Sequence, residues 1–165
     1  MWIKSIQDEV FNDYKKPAMY IAFPHCSFKC DKENGCQMCQ NSCLAQEPTV
    51  YHDTAKIVER YLANPITRAI VCSGLDPMDS FLDVLGLVRA LRVNYNCNDD
   101  VVIYTGYTEE ELQQMHRNYT ELYSFPNIII KFGRFRPNEE SHFDEVLGVK
   151  LASSNQYARR VSYEQ

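Results

Sequence analysis

Residues 101–115 read VVIYTGYTEEELQQM, an apolar run followed by a polar loop and an amphipathic segment. The apolar run is rich in β-branched residues and predicts a buried strand over 101–105. Thr108, followed three residues later by Glu111, fits a capping box, which predicts that a helix begins here. Strand, loop and helix in this order are the repeating unit of parallel α/β sheets.

Similar units lie on both sides of this one. A helix is predicted over 53–63, and another follows Asp79. Short apolar runs bounded by Gly, Pro or Asn predict three further strands: AMYIAF (18–23), AIVC (69–72) and NIIIKF (127–132). Continuous hydrophobic strands that alternate with helices indicate a parallel sheet of βα units with right-handed crossovers, and therefore an α/β fold.

Helical spacing of apolar residues predicts which helix faces are buried. In the first helix the apolar face comprises Ile57, Val58, Tyr61 and Leu62. In the third helix it comprises Leu112, Met115, Tyr119 and Leu122. The tail from Asn138 onward has weak periodicity, and no element is predicted there.

Composition limits the class of protein. A chain of 165 residues, 45% hydrophobic and 24% charged, suits a single domain over residues 1–165. The net charge of -5 argues against a nucleic-acid-binding protein, which needs a clustered positive field. No apolar run is long enough for a membrane span, and the N-terminal residues lack the pattern of a secretory signal. We therefore expect a cytoplasmic protein that binds neither membrane nor nucleic acid.

The loops that follow the four predicted strands should lie together, because the carboxyl ends of parallel strands share one edge of the sheet. These loops cover residues 24–43, 73–77, 105–108 and 133–137. Binding sites of parallel α/β proteins collect at this edge. The sequence therefore predicts a site built from these four loops.

The first of these loops contains most of the cysteines. Residues 25–43 read HCSFKCDKENGCQMCQNSC and include Cys26, Cys30, Cys36, Cys39 and Cys43. Cytosolic thiols are kept reduced, so such a group indicates metal or iron-sulfur binding rather than disulfides. Spacing alone leaves both an iron-sulfur cluster and a structural zinc ion open, while a position at the end of a strand favours a functional site. A thioredoxin-type redox pair would leave three cysteines unexplained.

Several segments resemble the radical S-adenosylmethionine (SAM) enzymes, and among them the activating protein of the anaerobic (class III) ribonucleoside-triphosphate reductase. The sequence CSFKC (26–30) is similar to the first half of the family's Cys-x3-Cys-x2-Cys motif, and CQN (39–41) to its second half. SGLDP (73–77), YTGYT (104–108) and SSNQ (153–156) resemble further family segments in the same order. The resemblance covers most of the chain.

The resemblance implies that Cys26, Cys30 and Cys39 bind a [4Fe-4S] cluster. The chain differs from the family in having eight residues, 31–38, between the second and third ligands, so Cys36 and Cys43 stay open as alternatives to Cys39. It also has Leu75 where the family usually has Gly. In the family the fourth iron binds the amino and carboxylate groups of SAM, which is cleaved reductively to methionine and a 5′-deoxyadenosyl radical.

The resemblance also implies which residues contact SAM. The implied cofactor-binding residues come from three of the four loops: Asn41, Ser73, Gly74, Leu75, Asp76, Thr105 and Gly106. Backbone carbonyls around Ser73 and Leu75 are expected to accept hydrogen bonds from the SAM amino group, and Asn41 and Thr105 are expected near its carboxylate or ribose. A carboxylate such as Asp76 equally often forms a turn.

The implied fold is an open, partial TIM-type barrel, and the implied activity is formation of a glycyl radical. The implied partners are the large subunit of the anaerobic ribonucleoside-triphosphate reductase, an electron donor such as flavodoxin, and a second copy in a homodimer. Two other functions stay open on the sequence: a radical SAM enzyme with a small-molecule or peptide substrate, and a zinc-stabilised binding module. Cys72, inside a predicted strand, is expected to be buried and unliganded.

Overall fold

The computed structural model describes residues 1–115 and 118–162. Its strands within these residues are β1 (Trp2–Ile3), β2 (Ser5–Val10), β3 (Ala18–Phe23), β4 (Val50–Tyr51), β5 (Ala69–Gly74), β6 (Asp100–Tyr104), β7 (Ile128–Phe132), β8 (His142–Asp144), β9 (Val149–Leu151) and β10 (Tyr157–Arg160). Its α-helices are α1 (Lys29–Asn34), α2 (Thr54–Ala63), α3 (Phe81–Arg89) and α4 (Glu109–Met115). Tighter or wider helical turns are found at Ser42–Ala45, Pro77–Ser80, Ala90–Asn94 and Tyr119–Ser124.

The main sheet has six strands in the order β10-β7-β6-β5-β3-β2. Its four central strands, β3, β5, β6 and β7, are parallel and adjacent in chain order. These are the four strands that the sequence predicts, so the α/β fold with a parallel sheet of βα units is confirmed. Antiparallel strands β2 and β10 form the two edges, and the described sheet is open rather than closed into a barrel.

Both faces of the sheet are covered, which explains why its central strands are hydrophobic throughout. Alternate residues such as Ile21, Cys72 and Ile103 pack on the side of the helices. Residues of the opposite parity, such as Val71 and Val102, pack on the other side. That second core is smaller and is closed by Tyr14, Leu147 and Leu151 from outside the central strands. We call these sides the helix face and the opposite face.

Side-chain caps define the starts of α2 and α4. The Asp53 carboxylate accepts a hydrogen bond from the amide of Ala55 at 2.8 Å, which is the predicted start of α2. At the start of α4, the Thr108 amide donates to Glu111 Oε2 at 2.9 Å and the Glu111 amide to Thr108 Oγ1 at 3.3 Å. The predicted capping box is therefore present. It begins α4 directly after the loop that follows β6.

Two predicted core positions are wrong, because both lie near the end of a helix where the apolar face turns toward solvent. Leu62 in α2 is 44% exposed and Met115 in α4 is 42% exposed. The predicted third helix continues through residues 116–117, which lie outside the described residues. Tyr119 and Leu122 beyond them are buried as predicted, in a 3₁₀ helix.

The N-terminal and C-terminal segments contribute strands that the sequence analysis did not predict. Strand β2 pairs with β3, strands β8 and β9 form a hairpin, and β10 pairs with β7. All of these strands are partly exposed, and β8, β9 and β10 are also short, so their hydrophobic alternation is weak. None of the described helices has the length and hydrophobicity that crossing a membrane would require.

Gly74, the last residue of β5, is predicted to tolerate no side chain. Its φ is +89°, and an added Cβ would lie 2.7 Å from Ala22 Cα and 2.8 Å from the Phe23 nitrogen in the neighbouring strand. We expect Gly74→Ala to lower the free energy of unfolding by about 3 kcal/mol or more, since backbone strain adds to the steric clash. Urea unfolding followed by circular dichroism measures the change.

The matched control is Gly86→Ala in α3, where an added Cβ meets nothing within 4 Å. Alanine is the better helix former, so this variant should gain about 0.5–1 kcal/mol. Equal stability changes in the two variants would contradict the assignment of Gly74 as a close-packing position.

Candidate iron-sulfur and cofactor site

The four loops that follow β3, β5, β6 and β7 meet at one edge of the sheet, as predicted. They surround a cavity of about 360 Å³, within the range of small-molecule sites. The cavity opens onto the opposite face of the sheet, where Tyr20, Ser73, Tyr104 and Lys131 line it. Residues of the β8–β9 hairpin, among them Lys150, line it from the side.

Three of the five loop cysteines lie on this cavity. Cys26, Cys30 and Cys39 are half-buried and line its wall. Cys36 and Cys43 are exposed and lie outside the lining. The structure therefore brings together the three cysteines that the sequence analysis preferred. Cys72 is fully buried in the core, as expected of a small apolar residue.

Each of the three cavity thiols accepts a hydrogen bond from a backbone amide. The Phe28 amide donates to Cys26 Sγ at 3.2 Å. The backbone N–H groups of Phe135 and Asn41 donate to the sulfurs of Cys30 and Cys39. An N–H donor stabilises the thiolate, which is the form that binds metal, and hydrogen bonds to cluster sulfurs also influence the reduction potential.

Burial opposes this effect in the metal-free protein. It raises the pKa of Cys26 to about 12 and also raises the pKa values of Cys30 and Cys39. Without metal the three thiols are therefore protonated at neutral pH. Metal binding must displace their protons, so assembly of the site should be favoured by rising pH.

Asp31 explains how the long insertion between the second and third cysteines is accommodated. One carboxylate oxygen, Oδ1, accepts the amides of both Met38 and Cys39 at 2.9 Å. Asp31 directly follows Cys30, so these bonds return the chain to the cavity at Cys39. Gly35, with φ +68°, ends α1 and allows the reversal of direction. This role of Asp31 was not predicted from the sequence.

Helix α1, which carries Cys30, is held against the loops after β6 and β7. Arg134 donates to Glu111 Oε1 at 2.7 Å and contacts Glu33 Oε1 at 3.3 Å. The ammonium of Lys29 lies 4.5 Å from the centre of the Tyr107 ring, a cation–π contact. The pairing with Arg134 lowers the pKa of Glu111 to about 2, so this carboxylate stays charged at neutral pH.

Asp76 connects three of the four loops, those after β3, β5 and β6. Its carboxylate accepts hydrogen bonds from the Met78 amide at 3.0 Å, the Thr105 hydroxyl at 2.9 Å and the Gly106 amide at 2.9 Å. The Asp76 amide donates to the His25 carbonyl beside the first cysteine at 2.7 Å. Burial raises the pKa of Asp76 to about 6 although these three donors favour the charged form.

A second group of polar contacts joins the cysteine loop to the same loops. Asp79 accepts the Ser27 amide at 2.8 Å and the Tyr107 hydroxyl at 2.6 Å. The Tyr107 hydroxyl also lies 3.0 Å from the Ser27 hydroxyl. Tyr107 belongs to the TGYT segment, so this segment directly positions the turn between Cys26 and Cys30.

The residues expected to contact a cofactor have different positions in the structure. Six of the seven line the cavity: Asn41, Ser73, Leu75, Asp76, Thr105 and Gly106. Gly74 lies behind the lining, and its close contacts are with β3. The Asn41 side chain donates to the Gly74 carbonyl at 2.7 Å and so holds the third cysteine's segment to the end of β5. The Thr105 hydroxyl is likewise engaged with Asp76.

Lys131 is a cavity residue that the sequence analysis did not identify. It is only 7% exposed, and burial lowers its pKa to about 8. The sequence does contain a signal for this position. In the run NIIIKF, Lys131 is the single charged residue, and all the others except the first Asn are apolar. A charge within a buried strand requires a partner.

The SSNQ segment supports the loop after β7, and its Gln156 also lines the cavity. The Asn155 side chain donates to the Arg134 carbonyl at 2.9 Å, and the Gln156 side chain donates to the Gly133 carbonyl at 3.3 Å. Gly133 has φ +96°, and a Cβ there would meet the Asn155 carbonyl at 2.9 Å. The segment thereby fixes the backbone that donates to Cys30.

A second, larger groove of about 540 Å³ lies on the other side of the cysteine loop. Its lining includes His25, Phe81, Leu82 and Met115, and no cysteine of the described chain contributes to it. It is more open than the thiol-lined cavity. Because an iron-sulfur cluster needs thiolate ligands and this groove has none, the candidate site is the thiol-lined cavity.

Residues 1–115 and 118–162 contain no group of three or more His, Cys, Asp or Glu side chains arranged to hold a single metal ion. A cluster is bound differently from a single ion, because each thiolate takes a separate iron. The donor set of Cys26, Cys30 and Cys39 fits such a cluster: three soft thiols on one wall, each with an amide donor, beside a buried cation.

Comparison with known proteins agrees with this chemistry. A family model described as a 4Fe-4S single cluster domain matches residues 18–158. The matched region includes all four loops and the five loop cysteines. Neither the curated proteins nor the solved structures gave a match to the chain.

The cysteine assignment predicts the outcome of single substitutions. We expect Cys39→Ser to reduce cluster content strongly after anaerobic reconstitution, because a cavity ligand is lost. Cys36→Ser and Cys43→Ser should retain the wild-type content, since their exposed thiols lie outside the lining. Iron and acid-labile sulfide per chain measure the effect. Loss in Cys36→Ser or Cys43→Ser, with retention in Cys39→Ser, would show that the third ligand is a different cysteine.

The hydrogen bonds of Asp31 predict an effect on the rate at which the cluster is lost. Asp31→Ala removes the acceptor of the Met38 and Cys39 amides, so the cluster should be lost to a chelator about tenfold faster. Asp31→Asn keeps an oxygen at the same position and should recover much of the difference. Equal rates in wild type and Asp31→Ala would show that the insertion does not depend on this carboxylate.

Proposed function

Since the chain belongs to the family of 4Fe-4S single cluster domains, we propose that it is a radical SAM enzyme that forms a glycyl radical on an anaerobic ribonucleotide reductase. One observation carries the proposal. Of the five cysteines in the loop, three line a single cavity at the carboxyl edge of a parallel sheet, and the other two do not. Three protein ligands leave one iron of a [4Fe-4S] cluster without a protein ligand. Bound in this way, the cluster would supply an electron and an open coordination position to SAM.

The protein's own residues would bind, orient and enclose these groups. Cys26, Cys30 and Cys39 would hold the cluster, with their amide donors stabilising the thiolates. Ser73 and Leu75 line the cavity beside them, where their backbone carbonyls could accept hydrogen bonds from an amino group. Asp76 would act by position, because its bonds keep Thr105 and Gly106 at the cavity wall.

The strand order supports the partial-barrel interpretation. Four parallel strands in sequential order, with their helices on one face, form an arrangement that corresponds to part of a TIM-type barrel. The cavity then corresponds to the interior face at the carboxyl ends of the strands. The sheet is open at its edges, which would leave access for a segment of a protein substrate, here the large reductase subunit.

The proposal predicts that the anaerobically reconstituted protein contains about four irons and four sulfides per chain and, once reduced, releases 5′-deoxyadenosine from SAM. Cys26→Ala should lose both cluster and product, whereas Cys43→Ser should keep both. Iron, zinc and sulfide analysis together with chromatography of the nucleoside products provide the measurement.

Two results would overturn the proposal at different levels. Zinc without sulfide would indicate the structural zinc module. A full cluster without 5′-deoxyadenosine would exclude radical SAM chemistry while leaving the family intact. The substrate is tested by mixing the active protein with the large reductase subunit, where a glycyl radical signal in electron paramagnetic resonance is expected. Product release from SAM without that signal would indicate another substrate.

A further inference from the structure

The β8–β9 hairpin contributes an outer strand to the wall of the thiol-lined cavity. Strand β9 pairs only with β8 among the described strands, in a two-stranded sheet separate from the main sheet. Four consecutive residues, 149–152, line the cavity. The outer strands of the main sheet, β2 and β10, contribute no described residue to this lining. Of the described outer strands, β9 alone therefore belongs to the candidate site.

The lining residues indicate that β9 turns its backbone edge, rather than one row of side chains, toward the cavity. Side chains alternate along a strand, so one face would contribute every second residue. Val149 and Leu151 pack with the smaller core on the opposite face of the main sheet, whereas the side chain of Lys150 between them is exposed. Residues of both parities nevertheless line the cavity. This pattern is expected when the edge of a strand faces a cavity.

The backbone groups on this edge are available to a partner. In an outer antiparallel strand, alternate residues direct their N–H and C=O groups away from the neighbouring strand. Across residues 1–115 and 118–162, the backbone of β9 forms hydrogen bonds only within the hairpin. A row of unpaired N–H and C=O groups is a template for pairing with another chain.

Hydrogen bonds hold the edge in place at both of its ends. Asp144 in β8 is buried, and its carboxylate accepts the amides of Leu147 in the hairpin turn and of Ala158 in β10, each at 2.9 Å. Beyond the end of β9, the Gln156 side chain accepts the Ala152 amide at 3.1 Å. The hairpin is thereby fixed to the main sheet. A preorganised edge loses little conformational freedom when a further strand is added.

The cavity restricts which chain segment can pair with this edge. Its volume of about 360 Å³ has to hold the cofactor as well as any group beside β9. An extended backbone satisfies the N–H and C=O groups of a strand edge in register. Beside the cofactor, a residue without a side chain needs the least space and allows the closest approach of its Cα. An extended segment that contains a glycine therefore fits both the edge and the space.

We propose that the edge of β9 binds an extended, glycine-containing segment of the protein substrate and adds it as a further strand to the β8–β9 sheet. This inference rests on the proposed function and specifies how the substrate is recognised. In this mode of binding, main-chain hydrogen bonds supply the affinity, and side chains contribute at alternate positions of the added strand.

The first test scans the backbone of a peptide ligand. The probe is a synthetic peptide with the sequence around the radical-bearing glycine of the large reductase subunit. Each variant peptide carries one N-methyl group, which removes a single N–H donor. We expect binding to weaken about five- to tenfold at every second residue, where the N–H faces β9, and less than about twofold at the residues between. Fluorescence anisotropy of the labelled peptide with the reconstituted full chain measures the affinities.

The second test changes the edge itself. Lys150→Pro removes the N–H of the central β9 residue and places a ring on the strand, so the full large subunit should bind about tenfold more weakly. Phe143→Gly is the matched control. Phe143 is exposed and lies opposite Lys150 in β8, so a glycine there weakens the same hairpin without changing the edge at the cavity. The control should bind the subunit within about twofold of the wild type.

Circular dichroism and iron and sulfide analysis establish that the variants fold and contain equal amounts of cluster. The peptide scan uses the wild-type protein, so it decides the inference even where Lys150→Pro does not fold.

Each other outcome contradicts the inference in a recognisable way. Equal effects of N-methylation at all positions, or no effect at any, would show that the segment is not held as a strand. Equal weakening in Lys150→Pro and Phe143→Gly would mean that only the stability of the hairpin matters. If the wild type with a full cluster binds neither the peptide nor the large subunit, the proposed substrate itself is wrong. Intact subunit binding with an unpatterned scan rejects the β9 edge alone.

Discussion

The site depends on one buried carboxylate. Asp76 lies where the loops after β3, β5 and β6 approach each other, and its backbone and side chain bond to groups in all three. Parallel strands alone bring these loops to the same edge, but they do not determine the relative positions of the loop backbones. Asp76 supplies that constraint, because its two oxygens have fixed separation and accept donors from Thr105 and Gly106 together. The cavity wall beside the thiols follows from this arrangement.

The thiols themselves are positioned by a second set of charges around the cysteine loop. Asp79 and Tyr107 hold the turn after Cys26. Arg134 and Glu111 hold helix α1, which contains Cys30, through contacts with Glu33 and Lys29. Hydrogen bonds to charged groups are stronger than those between neutral groups, and partial burial preserves part of that strength. A loop of modest length thereby reaches a defined geometry although none of α1 is buried. Each of the four loops contributes at least one partner to this network.

Much of the fold and site could be predicted from the sequence, and the exceptions have physical reasons. The central strands are buried on both faces, so apolar runs such as NIIIKF clearly predict strands. The caps at Asp53 and Thr108 depend only on neighbouring residues, so the sequence also predicts where α2 and α4 begin. Edge strands such as β2 and β10 have one partner and exposed side chains, which removes the periodic signal. The role of Asp31 depends on a chain reversal, and that of Lys131 on which side of the sheet it faces. Neither can be deduced from residue type alone.

The carboxylate of Asp31 also has a consequence for how far apart cluster ligands can lie in a chain. Closing a loop costs about 0.6 kcal/mol for each doubling of its length. Extending the spacing from two residues to the eight of 31–38 therefore costs about 1.2 kcal/mol, because this is two doublings. One or two hydrogen bonds of about 1 kcal/mol each offset that cost. Ligand spacing is thus a weak constraint on cluster binding whenever a nearby side chain can close the insertion. The hydrogen bond from the Cys39 amide to Asp31 defines the position of the third thiol better than the number of residues between the cysteines.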